Sequence, residues 1–515
     1  MNIFKQKSVS RILFVATDAM PYVKAGGLGA VMYSLPKALK KLGYDVRVFI
    51  PKYAGIDQER FPMDMAFEGL KVPTGSDGSV ENQPKELICN IKSFDPLKHS
   101  DVDNFKGVFT YFLENQEYYE QRSNIYGYGD DAVRWALLSR GALEFLRNNK
   151  SWTPDIIVSS DWQTGFLCNY LRTEYKNDAD LNKISSIFMI HNLYYQGMFD
   201  HRFISELDYD DGQSPIPSFY DSRLLKINGM RRGILYSDII TTVSQNYARE
   251  IMTENYGELL DGLLREKKSR VYGILNGIDY EEYNPETDKF LAHNYSVKNI
   301  DTRKKNKAEL QSRFGLEVED KKFLIGIVSR FFEQKGLDLL FPIADVLMKE
   351  LDVQFAILGE GDGKYMGFFQ DLEKKYPGKV GAHLKFDKIL PHLIFSGSDA
   401  FLVPSKFEPF GLTQIEAMRY GAIPVVRKTG GLADTVEDFN AAENSGTGFV
   451  FNDFDSNALL ISIIRAYENF RNKKVWVEIQ KRAMSQDFSW DESAREYSRI
   501  FFLAKGFRLR DLEEK

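Results

Sequence analysis

The sequence predicts an α/β protein with two doubly wound parallel sheets in tandem, each covered by helices on both faces. Three observations carry this. Short apolar runs alternate with helix-period patterns along most of the 515 residues, which is the signature of successive βαβ units. The alternation pauses over a polar, charge-rich stretch at 286–320 and restarts at residue 323. Polar and glycine residues gather directly after the apolar runs, where open α/β sheets bind their ligands.

In chain order, "RILFVA" (11–16) reads as a first buried strand, followed by a glycine turn and the amphipathic "VMYSLPKALKKLG" (31–43). "DVRVFIP" (45–51) returns as the next strand. "DIIVSSDW" (155–162), "SSIFMIHN" (185–192) and "DIITTVS" (238–244) are further buried strands, each ending in polar residues. Unbroken apolar runs of this kind suit a sheet buried on both faces. The second half repeats the pattern with "FLIGIVSR" (323–330), "VQFAILGEG" (353–361), "AFLVPS" (400–405) and "AIPVVRK" (422–428). The expected partition is a first domain over 1–285 with a glycine turn at 24–29, a second over 286–490, and a helical segment over 491–515. The basic run "TRKKNKAEL" (302–310), inside the stretch taken as the linker region, reads as a solvated helix start.

Composition narrows the function class. A net charge of −6 argues against nucleic acid or an anionic membrane as the main partner. The apolar run Ile12–Ala16 is too short for a signal-peptide core, and no stretch approaches the roughly 18 apolar residues of a membrane span. Cys89 and Cys168 suggest neither a disulfide framework nor a ligand cluster. A cytoplasmic protein is expected. Aromatics reach 14%, which suits flat sugar faces and core packing equally.

"KAGGLGAV" (24–31) places Lys24, Gly26 and Gly27 immediately before a helix. Adjacent glycines allow close backbone approach, and the helix start offers free N–H groups to an anion. This is neither a Walker loop nor a dinucleotide fingerprint, and a plain turn explains it as well. "RKTGGLAD" (427–434) repeats the idea with Thr429, Gly430 and Gly431. Arg330 and Lys335 in "SRFFEQKG" (329–336) stand just past a strand. Solvated charge is the usual fate of such residues, yet cations beside a glycine turn also suit a departing diphosphate. His191 ends a strand, and no two of the six histidines have metal-ligand spacing. Asp-x-Asp triplets such as "DVD" (101–103) are too common to count, so no metal is implied. "FEPFGLTQIEAM" (407–418) brackets a Pro-Phe-Gly break with Glu408 and Glu416. They can complement a helix dipole on a solvated face or act as working acids.

Long blocks of the chain resemble the bacterial glycogen synthase and plant starch synthase family. They are "KAGGLGAV", "SDWQTG" (160–165), "HNLYYQGMF" (191–199), "TTVSQNYAREI" (241–251), "GILNGIDYEEYNP" (273–285), "SRFFEQKGLDLL" (329–340), "FEPFGLTQIEAMRYGAIPVVRKTGGLADTV" (407–436) and "DFSW" (487–490). They fall in family order and cover about residues 11–505.

The resemblance implies a retaining glucosyltransferase of the GT-B architecture, with two Rossmann-like domains facing across a cleft and the segment after "DFSW" crossing back to the first. It implies glucose transfer from ADP-glucose, or less often UDP-glucose, to the non-reducing 4-hydroxyl of an α-1,4-glucan. No metal or other cofactor is implied, since basic side chains and helix ends hold the diphosphate. Carried over by position, Arg330 and Lys335 match the cations on the leaving diphosphate, and Lys24, Gly26 and Gly27 match the first phosphate-facing turn. Thr429, Gly430 and Gly431 resemble the second such turn. His191 matches the histidine at the donor glucose, while Asp161 and Asn192 resemble residues lining the sugar pocket. Glu408 matches the essential glutamate beside the transferred glucose; Glu416 stands where related enzymes place an acid near the ribose, with Thr413 also assigned to the donor. Retention without an obvious carboxylate nucleophile favours front-face attack, the leaving phosphate helping to deprotonate the acceptor. Tyr118 and Tyr126 are candidates for an acceptor surface, although aromatic loop residues also serve as packing.

Three positions depart from the family pattern: Ala30 where Asp is usual, Gln163 where His is usual, and Phe410 where Cys is usual. Glu416 departs from the bacterial members, which commonly carry a non-acidic residue there. The departure at Ala30 bears on donor choice and efficiency. Two rival readings remain: a glucosyltransferase using UDP-glucose or a different acceptor, and a weakened relative that only binds glucan or nucleotide sugar.

Overall fold

The computed structural model describes residues 10–99 and 107–514. Its contacts divide the chain into two compact units: one runs to Val243, resumes over Ala248–Gly277 and takes the chain from Trp490 onward; the other holds Ser244–Tyr247 and Ile278–Ser489.

The first unit is built on nine strands: β1 (Arg11–Val15), β2 (Asp45–Pro51), β3 (Asp64–Pro73), β4 (Glu86–Phe94), β5 (Phe109–Glu114), β6 (Ile156–Ser160), β7 (Ser185–Ile190), β8 (Ile239–Thr242) and β9 (Val271–Gly273). Their order is β3-β4-β5-β2-β1-β6-β7-β8-β9. The stretch from β5 to β9 is parallel, while β3–β4 and β4–β5 pair antiparallel. Ile12, Leu13, Phe14 and Val15 of β1 have no exposed surface, as expected where helices cover both faces. The antiparallel arm has no counterpart in the sequence reading. Most of β3 faces solvent, so its residues lack the unbroken apolar run that marks a central strand.

The chain leaves β1 toward β2 on one side and later returns to lay β6 on the other. That reversal is the switch point at which open sheets bind ligands beyond their carboxyl ends. The helix Asp161–Arg172, which follows β6, crosses the helix Gly229–Tyr236 at its glycines. A Cβ on Gly165 would stand 1.8 Å from the Gly229 carbonyl oxygen, so this crossing admits only hydrogen there. The last helix, Trp490–Glu513, lies on the helix Gly27–Lys41 and on β6 and β7. Ser493 donates to the Leu275 carbonyl at 2.6 Å, and Arg270 pairs with Asp511 at 2.9 Å.

The second unit holds six parallel strands: β10 (Phe323–Phe331), β11 (Val353–Gly361), β12 (Val380–His383), β13 (Ala400–Val403), β14 (Ile423–Arg427) and β15 (Phe449–Phe451). Their order is β12-β11-β10-β13-β14-β15, with its reversal between β10 and β13. Residues 278–285, assigned above to the first domain, fall in this unit. Ile278 N–H donates to the Phe488 carbonyl at 2.9 Å, tying the two chain crossings together.

The run at 302–310 is solvated on one face only, where Lys304, Lys305 and Glu309 are exposed. Arg303 and Lys307 are both buried. Lys307 Nζ donates to the carbonyls of Asp320 (2.8 Å) and Lys322 (2.6 Å) and pairs with Asp399 at 2.7 Å. The stretch taken as a linker thus contributes a helix, Arg303–Arg313, to the core of the second unit.

Candidate active site

Each unit gathers a group of polar residues at its own switch point. In the first, the helix Gly27–Lys41 starts without a side-chain cap and without an acid in its first turn. Its opening N–H groups and the positive end of its dipole are therefore available to an anion. Gly26 is extended at φ −160°, and a Cβ on Gly26 or Gly27 would meet nothing within 4 Å. Nothing in the fold demands glycine at these two positions, and the open space lies in front of the helix. Lys24 is exposed and forms no ion pair among the described residues. Gly29 differs: a Cβ there would stand 2.7 Å from Asp18 Oδ2.

Asp18 is a functional candidate that the sequence reading missed, though its place just after β1 was the available signal. It has no exposed surface. It accepts the Ala25 N–H at 3.0 Å and the hydroxyls of Thr17 (3.1 Å) and Tyr126 (3.2 Å). Burial pushes its carboxyl above the ordinary range despite these donors and the nearby His191. Asp161 opens its helix at φ +53°, a left-handed conformation uncommon outside glycine. Its Oδ1 accepts the N–H groups of His191 (2.8 Å) and Asn192 (3.3 Å), tying the end of β7 to the end of β6. Burial raises its pKa as well, against the pull of His191 and those amides. His191 is pushed the other way: burial lowers its pKa, outweighing Asp161 and Asp18. Its Nε2 is buried with no partner among the described residues. A neutral imidazole of this kind is ready for a ligand hydroxyl, since an unmet buried polar atom is costly.

In the second unit, Arg330, the last residue but one of β10, is exposed and without an ion pair among the described residues. Lys335 follows on a short turn, and its Nζ pairs with Glu408 Oε2 at 2.6 Å. Glu408 is buried and also accepts from Ser405 Oγ at 3.0 Å. The second glycine turn is tied to this acid. At φ +44°, a Cβ on Gly430 would stand 1.8 Å from the Glu408 carbonyl oxygen, and one on Gly431 would stand 2.2 Å from that of Phe410. The Gly431 N–H donates to the carbonyls of Glu408 and Pro409, both at 3.1 Å. These glycines are required by the acid loop, and the Gly431 amide is spent on it. Thr429, fully buried, precedes the short helix Gly430–Thr435.

Glu416 is buried in the helix Thr413–Arg419 and takes a hydrogen bond from Tyr283. The Tyr283 ring stacks on His392 with centroids 5.3 Å apart. Neither a solvated face nor a bare dipole effect describes Glu416. Thr413, at the start of the same helix, is half-buried.

Tyr118 corrects an expectation: it is buried at 7% exposure, in a turn whose Asn115 side chain accepts its N–H. Its ring belongs to the core and offers no acceptor surface. Tyr126 remains half-buried, joined to Thr17 and Asp18. The triplet at 101–103 lies outside the described residues.

Comparison with known proteins bears on what these groups do. Residues 11–266 match the model of the starch synthase catalytic domain, and residues 309–483 match that of glycosyl transferases group 1. The glycogen synthase of Clostridium beijerinckii is 41% identical over 496 residues, covering 95% of this chain and 98% of that protein. The chain belongs to the glycogen and starch synthase family. The glycogen synthase of Pseudothermotoga lettingae is likewise 41% identical, over 501 residues. The catalytic domain of starch synthase IV from Arabidopsis thaliana, solved with ADP and acarbose, superposes with a TM-score of 0.80 at 30% identity, covering 97% of this chain and 100% of that one. The synthase is therefore a glycosyltransferase of glycogen and starch synthesis, and its two parallel-sheet units are those of the GT-B fold. No helix of the synthase among the described residues is long and apolar enough to cross a membrane.

Proposed function

We propose that the synthase takes ADP-glucose as donor and extends the non-reducing 4-hydroxyl of an α-1,4-glucan with retention of configuration. The observation that carries this reading is the buried Glu408, held at 2.6 Å by Lys335 on a loop that Gly430 and Gly431 hold in place. It is supported by the likeness to a starch synthase solved with ADP and acarbose. Arg330 and Lys335 face the charge that builds on the departing diphosphate, where fixed cations are worth most. Glu408 sits with its negative charge toward the oxocarbenium-like centre of the transferred glucose. The bond from C1 to the diphosphate oxygen breaks, the bond from C1 to the acceptor oxygen forms, and the acceptor proton passes to the departing phosphate. Lys24 and the uncapped helix behind Gly26 and Gly27 hold phosphate; His191, Asp161 and Asn192 hold the glucosyl hydroxyls. Glu416, Thr413 and Thr429 serve the nucleoside end, and Tyr126 the glucan. Cations and helix ends hold the diphosphate in this scheme without calling on a metal.

The test is incorporation of labelled glucose into glycogen from ADP-glucose and from UDP-glucose, with Glu408→Ala alongside. Incorporation mainly from ADP-glucose, lost in the variant, supports the reading. Preference for UDP-glucose overturns the donor assignment, and full activity in Glu408→Ala overturns the role of the acid.

A further inference from the structure

A pocket opens on the first unit at the amino ends of β6 and β7. Asp155, one residue before β6, and Ser185, the first residue of β7, line it. Asp161 and His191 stand past the carboxyl ends of the same strands. At about 3.3 Å per residue, a five-residue strand such as β6 separates the two places by about 17 Å. The cavity measures about 550 Å³, the size of a small-molecule site and far more than a bare inorganic ion fills.

Four cations line it: Lys150 and Lys183 from loops before the two strands, Lys505 and Arg508 from the last helix. Two acids oppose them, leaving a net charge of two positive. Asp180 pairs with Lys150 at 2.6 Å, and Asp155 with Lys505 at 3.5 Å. Lys183 and Arg508 form no ion pair among the described residues. Arg508 is only 3% exposed, and its recorded acceptors are the neutral carbonyl and side-chain oxygens of Asn182. The acids closest to it are committed elsewhere: Asp238 to Arg172 at 2.6 Å, Asp511 to Arg270 at 2.9 Å. Burial, reinforced by the charge of Arg172, pushes the Arg508 guanidinium below its ordinary pKa. With Nε and one Nη2 hydrogen given to the neutral oxygens of Asn182 and no carboxylate paired to it, the Arg508 guanidinium keeps its charge and its remaining N–H groups for an anion, to which charge-assisted hydrogen bonds are the strong ones.

We propose that this pocket is a second ligand site of the synthase, taking a phosphomonoester of sugar size. Its phosphate sits between Arg508 and Lys183, and its body lies along Pro154, Ile184 and Leu509, which complete the wall. The net charge of the pocket matches a dianion, and the volume matches a hexose carrying it.

Calorimetric titration of the full chain with glucose 1-phosphate, inorganic phosphate and glucose, with ADP in excess throughout to occupy the nucleotide site, tests this. Saturable binding of glucose 1-phosphate, competition by inorganic phosphate and none by glucose are expected. Lys183→Glu should weaken it by about tenfold or more, since it removes a charge-assisted contact. Lys349→Glu, on the second unit, should bind as the wild type does. Arg508→Gln should weaken binding further; should it unfold, Lys183→Glu and Lys505→Gln carry the test. No saturable binding in the presence of ADP, or equal affinity in the wild type and Lys183→Glu, overturns the proposal. Inorganic phosphate binding more tightly than glucose 1-phosphate overturns the sugar-sized ligand.

Discussion

Two glycine turns that look alike in sequence should respond in opposite ways to one added methyl group. In Gly430→Ala the new Cβ would fall 1.8 Å from the Glu408 carbonyl oxygen, where about 3 Å is the least that real contacts show, so the acid loop must move by about 1.2 Å. The residue also sits at φ +44°, and a left-handed alanine costs about 1–2 kcal/mol on its own. A displacement of about 1 Å in a positioned catalytic group costs on the order of a hundredfold in rate. Gly430→Ala should therefore lose about two orders of magnitude in turnover and a few degrees of thermal midpoint. Gly26→Ala meets nothing within 4 Å and adopts an extended backbone open to alanine, so its thermal midpoint should stay at the wild-type value. Any loss it shows should appear as a raised KM for the nucleotide sugar. Glucosyl incorporation and thermal unfolding, run side by side on both variants, decide the matter. Gly430→Ala with activity within about threefold of wild type would refute the claim that this contact holds Glu408. Gly26→Ala with unchanged kinetics would refute ligand approach across the first turn.

Lys307→Met should destabilise the protein by about 3–5 kcal/mol in urea, because it leaves Asp399 buried without its cation; a change under about 1 kcal/mol would contradict that account. His191 has a folded pKa below 6.5, so its stability contribution is complete above pH 6.5 and is lost as pH falls through the folded value. The wild type should therefore lose stability more steeply than His191→Gln below pH 6.5, and parallel curves would refute the assignment. Asp18 carries the opposite sign: its raised carboxyl contributes stability that is full below pH 3.8 and lost as pH rises through the folded value. Ala30→Asp adds a carboxylate to the opening of the helix Gly27–Lys41, whose first turn has no acid. It should raise stability by about 0.3–1 kcal/mol and shift the KM ratio of ADP-glucose to UDP-glucose; no change in either would make the position incidental.

The central strands could be read from the chain because a strand buried on both faces carries an unbroken apolar run, as in Ile12–Val15 of β1, Ile156–Val158 of β6, Ile187–Ile190 of β7, Phe323–Val328 of β10 and Ala400–Val403 of β13. The residues after them follow from the rule that open sheets bind beyond strand carboxyl ends, which singles out Lys24, Asp161, His191, Arg330 and Glu408. The strands β3 and β4 escaped, since a half-exposed edge hairpin carries only a weak alternating signal. What a given polar side chain does escaped as well. "GGL" occurs after Ala25 and after Thr429, yet one pair faces open space while the other is wedged against the Glu408 loop. Basic residues look alike in a list, but Lys307 is buried against Asp399 and Arg508 reaches Asn182 from 326 residues away. Local pattern and topology thus determined the fold class and the ends of the strands where chemistry belongs. Burial, ion pairing and unmet hydrogen bonds depend on neighbours distant in sequence, so only the tertiary structure decided which of those residues are held, which are free, and where a second anion would bind.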